Sequence, residues 1–156
     1  MSNFAVVIGA GPAGLMAADK LASNGFKVLI VDRKPSFGRK FLMAGKSGLN
    51  LTKNENLDHF VSHYYEASAW MSPILRNFGP DAVSRWANGL NQNVFIGSSG
   101  RVFPTSMKAS PLLRSWLKKL QNMNIKFGFK MNAVSYTHLR AHETRGNLVC
   151  RLLGEK

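Results

Sequence analysis

Gly9, Gly11 and Gly14 stand in the spacing Gly-x-Gly-x-x-Gly, and the chemistry that spacing serves is the cradling of a pyrophosphate. The first glycine permits a tight turn, the second lets backbone N–H groups approach the phosphates, and the third lets helix and strand pack closely. Pro12 and Ala13 lie within the same turn and belong to the candidate cradle. The pattern alone is common in glycine-rich chains. Here Phe4-Ala-Val-Val-Ile8 runs straight into it, and Leu15, Ala18, Leu21 and Ala22 continue beyond it at helical spacing as far as Asn24-Gly25. Eighteen residues after Gly14, Asp32 closes a second apolar run and is placed to accept hydrogen bonds from ribose hydroxyls. Its charge would repel a 2′-phosphate, whereas neighbouring Arg33 would attract one. The ligand class this implies is a dinucleotide.

A second group of residues suits an anion. Arg39, Lys40 and Lys46 alternate with Gly38, Gly45 and Gly48, so one loop presents side-chain cations and bare backbone N–H groups together. Ser47, Asn50 and Thr52 add hydrogen-bonding groups to it. Read without context, the same stretch is a solvated basic loop. Arg101, Pro104, Ser106 and Lys108 form a third group with two open readings: part of the site, or a hairpin edge and helix start in which Ser106 caps backbone. His59 and His63, four apart, have the spacing of a helical metal pair. No Asp or Glu at suitable spacing completes the set, so surface histidines and no metal are expected. Trp70, Trp86 and Trp116 are expected as core anchors. The single Cys makes neither a disulfide framework nor a metal cluster. No residue is singled out as catalytic.

The elements that must position these groups read as β-α-β over the first 32 residues, with the usual right-handed crossover expected. Residues 35–53 read as loop, short helix and loop. Helices are predicted over 67–78 and 80–89, the second begun by Pro80-Asp81 and stopped by Gly89. Residues 94–96 and 101–103 flank Gly97-Ser-Ser-Gly100 as a hairpin, Ser110-Pro111 begins a helix reaching about Asn122, and residues 125–131 form a strand. The fold class is α/β, a Rossmann-like dinucleotide-binding domain.

Composition agrees. Of 156 residues, 45% are hydrophobic and 19% charged, which excludes collagen-like and disordered chains. The apolar runs are far shorter than a membrane span, and Gly9 and Gly11 interrupt the N-terminal run before a signal sequence could form. A cytoplasmic protein with no membrane partner is the expectation. The net charge of +13 invites a nucleic-acid reading, but the basic residues are scattered, with no run longer than Lys118-Lys119. Scatter favours a small anionic ligand and no specific nucleic acid.

The segments 9–18, 32–33, 38–52 and 100–109 together resemble the BaiN-like (YhiN-type) flavoproteins. The resemblance implies the N-terminal part of a two-dinucleotide-binding-domain fold and FAD in the first Rossmann-like domain. It also implies NAD(P)H as reductant and a small-molecule substrate with an unsaturated or carbonyl group. Where relatives often read Arg-Cys-Asn, this chain has Gly48-Leu49-Asn50, a departure that counts against a mechanism relying on that Cys. The competing function is a non-catalytic dinucleotide-binding module whose basic surface meets an acidic partner or nucleic acid.

From Val134 onward, the text Val-Ser-Tyr-Thr-His-Leu-Arg-Ala-His-Glu-Thr, Arg-Gly-Asn and Leu-Val-Cys-Arg-Leu-Leu-Gly-Glu-Lys resembles a translated sequencing adaptor with a short index and one departure, Gly154. Residues 1–133 are then the native part of the FAD-binding domain, and 134–156 a non-native tail. The native part carries 17 Lys and Arg against 6 Asp and Glu, a balance of +11. On this reading the protein continues beyond residue 133, and the 156 residues alone neither hold FAD tightly nor turn over.

Overall fold

The computed structural model describes residues 3–44 and 48–131. The adaptor reading of residues 134–156 falls outside the described residues. Within them the chain divides into two compact units, one formed by residues up to 43 together with those from 116 onward, the other by residues 44–115.

In the first unit, the apolar run predicted as a strand forms β1 (Phe4–Ile8), which leads through α1 (Pro12–Ser23) to β2 (Lys27–Asp32). A last strand, β6 (Lys126–Phe129), joins the far side of β2, so the parallel sheet has the order β1-β2-β6. Register pairs Val7 with Ile30 on one side of β2 and Asp32 with Phe129 on the other. Pro12 at the first turn suits α1, since its fixed φ is helical and its missing N–H costs no bond there. Asn24 caps the other end, and Gly25 at φ 81° turns the chain into β2. Ala5, Val6, Val7, Leu15, Ala18, Val28 and Ile30 make the core against which the helix lies. The predicted apolar face of α1 is corrected in one respect: Leu21 and Ala22 are half-buried, whereas Asp19 is buried. Lys119 makes that burial tolerable, its Nζ donating to both carboxylate oxygens of Asp19 at 2.9 and 2.8 Å. The loop after β2 is pinned by Phe37, which stacks on Phe129 and tilts against Phe127 with ring centroids 4.3 and 4.9 Å away. Helix α2 (Arg39–Ala44) follows that loop.

The second unit holds the antiparallel sheet β3-β5-β4. Its strands are β3 (Thr52–Lys53), β4 (Val94–Ile96) and β5 (Arg101–Pro104), the last two being the predicted hairpin. Helices α3 (Leu57–Ser62), α4 (Ser68–Asn77) and α5 (Pro80–Gly89) lie between β3 and β4, with a single 3-10 turn at Tyr65–Ala67. Gly79 makes the α4–α5 corner possible, because a Cβ there would come within 2.6 Å of the Leu75 carbonyl oxygen. Helix α6 (Ala109–Asn122) buries Leu112, Trp116 and Leu120 at successive four-residue steps.

Three expectations need correction. Helix α3 was not foreseen, since six residues are too few for a periodic signal; Asn56 supplies its cap by accepting from the Asp58 N–H at 2.9 Å. Of the three tryptophans only Trp116 is a core anchor. Trp86 is half-buried, and Trp70 is 57% exposed because α4 turns Leu75 inward instead. Finally, α6 starts at Ala109, so Ser110 lies inside its first turn. Among the described residues no helix is long and apolar enough to cross a membrane.

Candidate cofactor site

The turn from β1 into α1 has the three properties expected of it. Gly9 adopts φ 98°, a conformation side chains rarely accept, and donates its N–H to the Val31 carbonyl at 2.8 Å. A Cβ on Gly14 would overlap the Gly9 carbonyl oxygen, so helix and turn are packed as closely as glycine allows. Around Gly11 the situation is reversed: no atom lies within 4 Å of where its Cβ would be, and its backbone (φ −77°, ψ 178°) is open to any residue. Gly11 is the N-cap of α1, and no side chain caps the helix there. The first-turn N–H groups of Ala13 and Gly14 therefore receive no acceptor from a capping side chain, and they lie at the positive end of the helix.

Asp32 does more than wait for a ribose. Its Oδ2 accepts from the Ala10 N–H and its Oδ1 from the Lys34 N–H, both at 2.8 Å, while Gly38 donates to the Ala10 carbonyl at 2.8 Å. The carboxylate thus ties the glycine turn to the end of β2, and each oxygen keeps a lone pair for a further donor. Arg33, Arg39 and Lys40 are exposed. We expect Asp32→Ala in the full-length protein to lower dinucleotide affinity about tenfold to a hundredfold, since losing a charged acceptor for the ribose costs roughly 1.5–3 kcal/mol, while the unpaired Ala10 N–H lowers the stability of the free and bound protein alike. Titration of the stripped protein with the cofactor checks this; unchanged affinity would remove Asp32 from the site.

The second group divides. Gly45, Lys46 and Ser47 lie outside the described residues. Gly48, at φ 142°, passes so near Met107 that a Cβ would come within 2.9 Å of its Cε. Leu49 and Leu51 then donate to the carbonyls of Met107 and Val102 at 2.9 Å, which holds residues 49–53 alongside β5. Leu49 is buried and Asn50 exposed, with Thr52 half-buried in β3. Of the third group, Arg101 and Pro104 lie in β5, and Ser106 bonds locally, its Oγ donating to the Lys108 carbonyl at 3.5 Å.

Residues 3–149 match the HI0933-like protein Rossmann domain. The chain belongs to that family. The HI0933-like family is one of FAD-binding flavoprotein oxidoreductases. The ribosomal RNA dihydrouridine synthase of Haemophilus influenzae is 35% identical over 83 residues, 53% of this chain and 18% of that protein. A thiamine thiazole synthase of Pyrobaculum calidifontis is 62% identical over 32 residues, 20% of this chain and 12% of its own. The HI0933-like chain thus spans less than a fifth of the length of either relative. Among solved structures, the open conformation of a flavocytochrome c3 fumarate reductase has the same fold, with a TM-score of 0.63 at 20% identity over 83% of this chain and 26% of that one.

The residues present fit the ADP end of FAD. The bare surface at Gly11, the uncapped first turn of α1 and the acceptor Asp32 supply the donors and acceptor that a pyrophosphate and an adenosine ribose require.

The expectation that no carboxylate completes the histidine pair is overturned by the geometry. Glu55 stands four residues before His59, and its Oε2 lies 2.8 Å from His59 Nδ1. A hydrogen bond from Lys53 Nζ, 2.9 Å away, holds the Glu55 carboxyl well below the ordinary carboxylate range, with the two histidines acting in the same direction and burial opposing them. The regular spacing Glu55-x-x-x-His59-x-x-x-His63 was the available signal.

Proposed function

We propose that this chain is the N-terminal FAD-binding part of an NAD(P)H-linked oxidoreductase, cytoplasmic, that reduces an unsaturated or carbonyl group of a small organic molecule and has no specific nucleic-acid partner. The observation that carries the reading is the helix start at Gly11, which has neither a side-chain cap nor any atom near the missing Cβ. Bound FAD supplies hydride transfer, and the protein supplies position and electrostatics. Ala13 and Gly14 would donate backbone N–H groups to the pyrophosphate, and Asp32 would accept from the ribose. Arg39, Lys40 and Lys46 would supply positive charge toward the anionic cofactor. Gly45, Ser47, Gly48, Asn50 and Thr52 are assigned to the cofactor on their residue types and spacing alone.

The reaction class draws support from the Haemophilus influenzae relative. Its name specifies dihydrouridine as product, and dihydrouridine is uridine saturated at the double bond conjugated to a carbonyl. An enone presents the same electron-poor bond to a hydride. The test is anaerobic titration of the full-length flavoprotein with NADH and NADPH, followed by an enone or a uridine-containing RNA. Bleaching by a nicotinamide and reoxidation by the enone are expected. An unbleached spectrum would overturn the nicotinamide link, and reoxidation by RNA alone would overturn the small-molecule substrate. Salt-sensitive DNA binding by a protein without flavin would favour the non-catalytic module.

A further inference from the structure

We propose that Glu55, His59 and His63 form a binding site for one divalent transition-metal ion of the zinc class, with a coordination position left open to solvent. The backbone fixes the first ligand from both sides. Before Glu55, the Asn54 N–H donates to the Gly100 carbonyl at 2.8 Å; after it, Asn56 caps α3. His59 then follows within α3 and His63 at its C-cap, so the three residues share one flank at successive four-residue steps.

The donor atoms converge. One ligand atom from each residue lies within 4.8 Å of the other two. His63 Nε2 is 3.3 Å from Glu55 Oε1, and the imidazoles meet edge to face with centroids 4.7 Å apart. Zinc bonds of roughly 2.0–2.2 Å to nitrogen and oxygen put tetrahedral ligand atoms about 3.3 Å apart, which the His63 Nε2–Glu55 Oε1 pair already matches, while His59 Nδ1 would exchange its 2.8 Å contact with Glu55 Oε2 for the ion. The histidine side chains are the exposed ones, His59 at 62% and His63 at 47%, while Glu55 is 10% exposed. Glu55 Oε1 is itself buried and accepts no hydrogen bond of its own, with His63 Nε2 3.3 Å away in an ion-pair contact only, so a buried anionic oxygen faces the imidazole. A metal ion on Oε1, His59 Nδ1 and His63 Nε2 would satisfy it. Lys53 would keep Oε2, orienting the carboxylate as an outer partner while repelling the ion. Three protein ligands and a solvent-facing fourth position are the arrangement of an open zinc site.

The experiment uses untagged full-length protein, stripped with chelator and titrated with Co²⁺, whose ligand-field absorption reports tetrahedral nitrogen and oxygen ligation, followed by displacement with Zn²⁺. One Co²⁺ per chain is expected, with visible bands that Zn²⁺ removes. The double variant His59→Ala/His63→Ala should bind at least about a hundredfold more weakly, since outer partners alone are worth 10–100-fold. Both histidines are exposed, and an unchanged denaturant midpoint in the stripped double variant certifies its fold. Bands that persist in the double variant, or the absence of bands in the parent at one equivalent, would overturn the site and leave an ion-pair cluster only.

Discussion

Gly11→Asp in the full-length protein is expected to purify without flavin, with affinity lowered at least roughly a thousandfold, or about 4 kcal/mol. The effect comes from the ligand side alone. Gly11 has an ordinary backbone conformation and nothing within 4 Å of its missing Cβ, so the new side chain meets no protein atom at its root and demands no strain. A carboxylate there enters the space reserved for the pyrophosphate, adding bulk and like charge, and it can accept from the first-turn N–H groups that the phosphates would use. The same capping bond should leave the stripped protein as stable as before, or a few tenths of a kcal/mol more so. Flavin absorbance per chain after purification and the denaturant midpoint of the stripped protein are the two measurements. Gly11→Ala separates the contributions, since it carries bulk without charge and should fall between the parent and Gly11→Asp. Full flavin content in Gly11→Asp would place the pyrophosphate elsewhere.

That separation of fold from binding is visible because the β-α-β segment is written in local patterns. The apolar run before Gly9, the helical spacing after Gly14 and the Asn24-Gly25 stop each act within a few residues, and each has its counterpart in β1, α1 and β2. Interactions between distant residues leave no such mark. Asp32 could be read as a ribose acceptor from its place at the end of a strand, yet its hold on the Ala10 N–H joins residues 22 apart. The buried Asp19 depends on Lys119, 100 residues away, and a helix face containing Asp reads as polar until that partner is known. Trp70 shows the converse. Its helix was legible, but the inward direction of α4 is set by packing around Leu75, which no periodicity in ten residues specifies. Glu55 was missed for another reason. The four-residue spacing was present, but a six-residue helix gives too little pattern to show that the three side chains share a flank.

Gly14 should behave as the opposite of Gly11 although the two belong to one motif. Gly14→Val is expected to lower the stability of the stripped protein by about 3 kcal/mol or more, the upper part of the range for overpacking, because the obstacle is backbone. Its Cβ would overlap the Gly9 carbonyl oxygen and crowd the Gly9 carbonyl carbon at 3.1 Å and Val7 Cγ1 at 3.4 Å. No rotamer relieves that contact, so α1 must move away from β1 or the Gly9 turn must open. Either movement disturbs Leu15 and Ala18, which are wholly buried between helix and sheet. Against a total stability of roughly 5–15 kcal/mol such a loss is a large fraction. Flavin content should fall as well, but as a consequence of the displaced turn, and the denaturant midpoint should fall in the absence of any cofactor. Gly14→Ala carries the same Cβ without the branches, so it should retain most of the loss if backbone overlap is the cause. A stripped Gly14→Val protein with the parent's midpoint would show that α1 has room to retreat and that Gly14, like Gly11, matters only to the ligand.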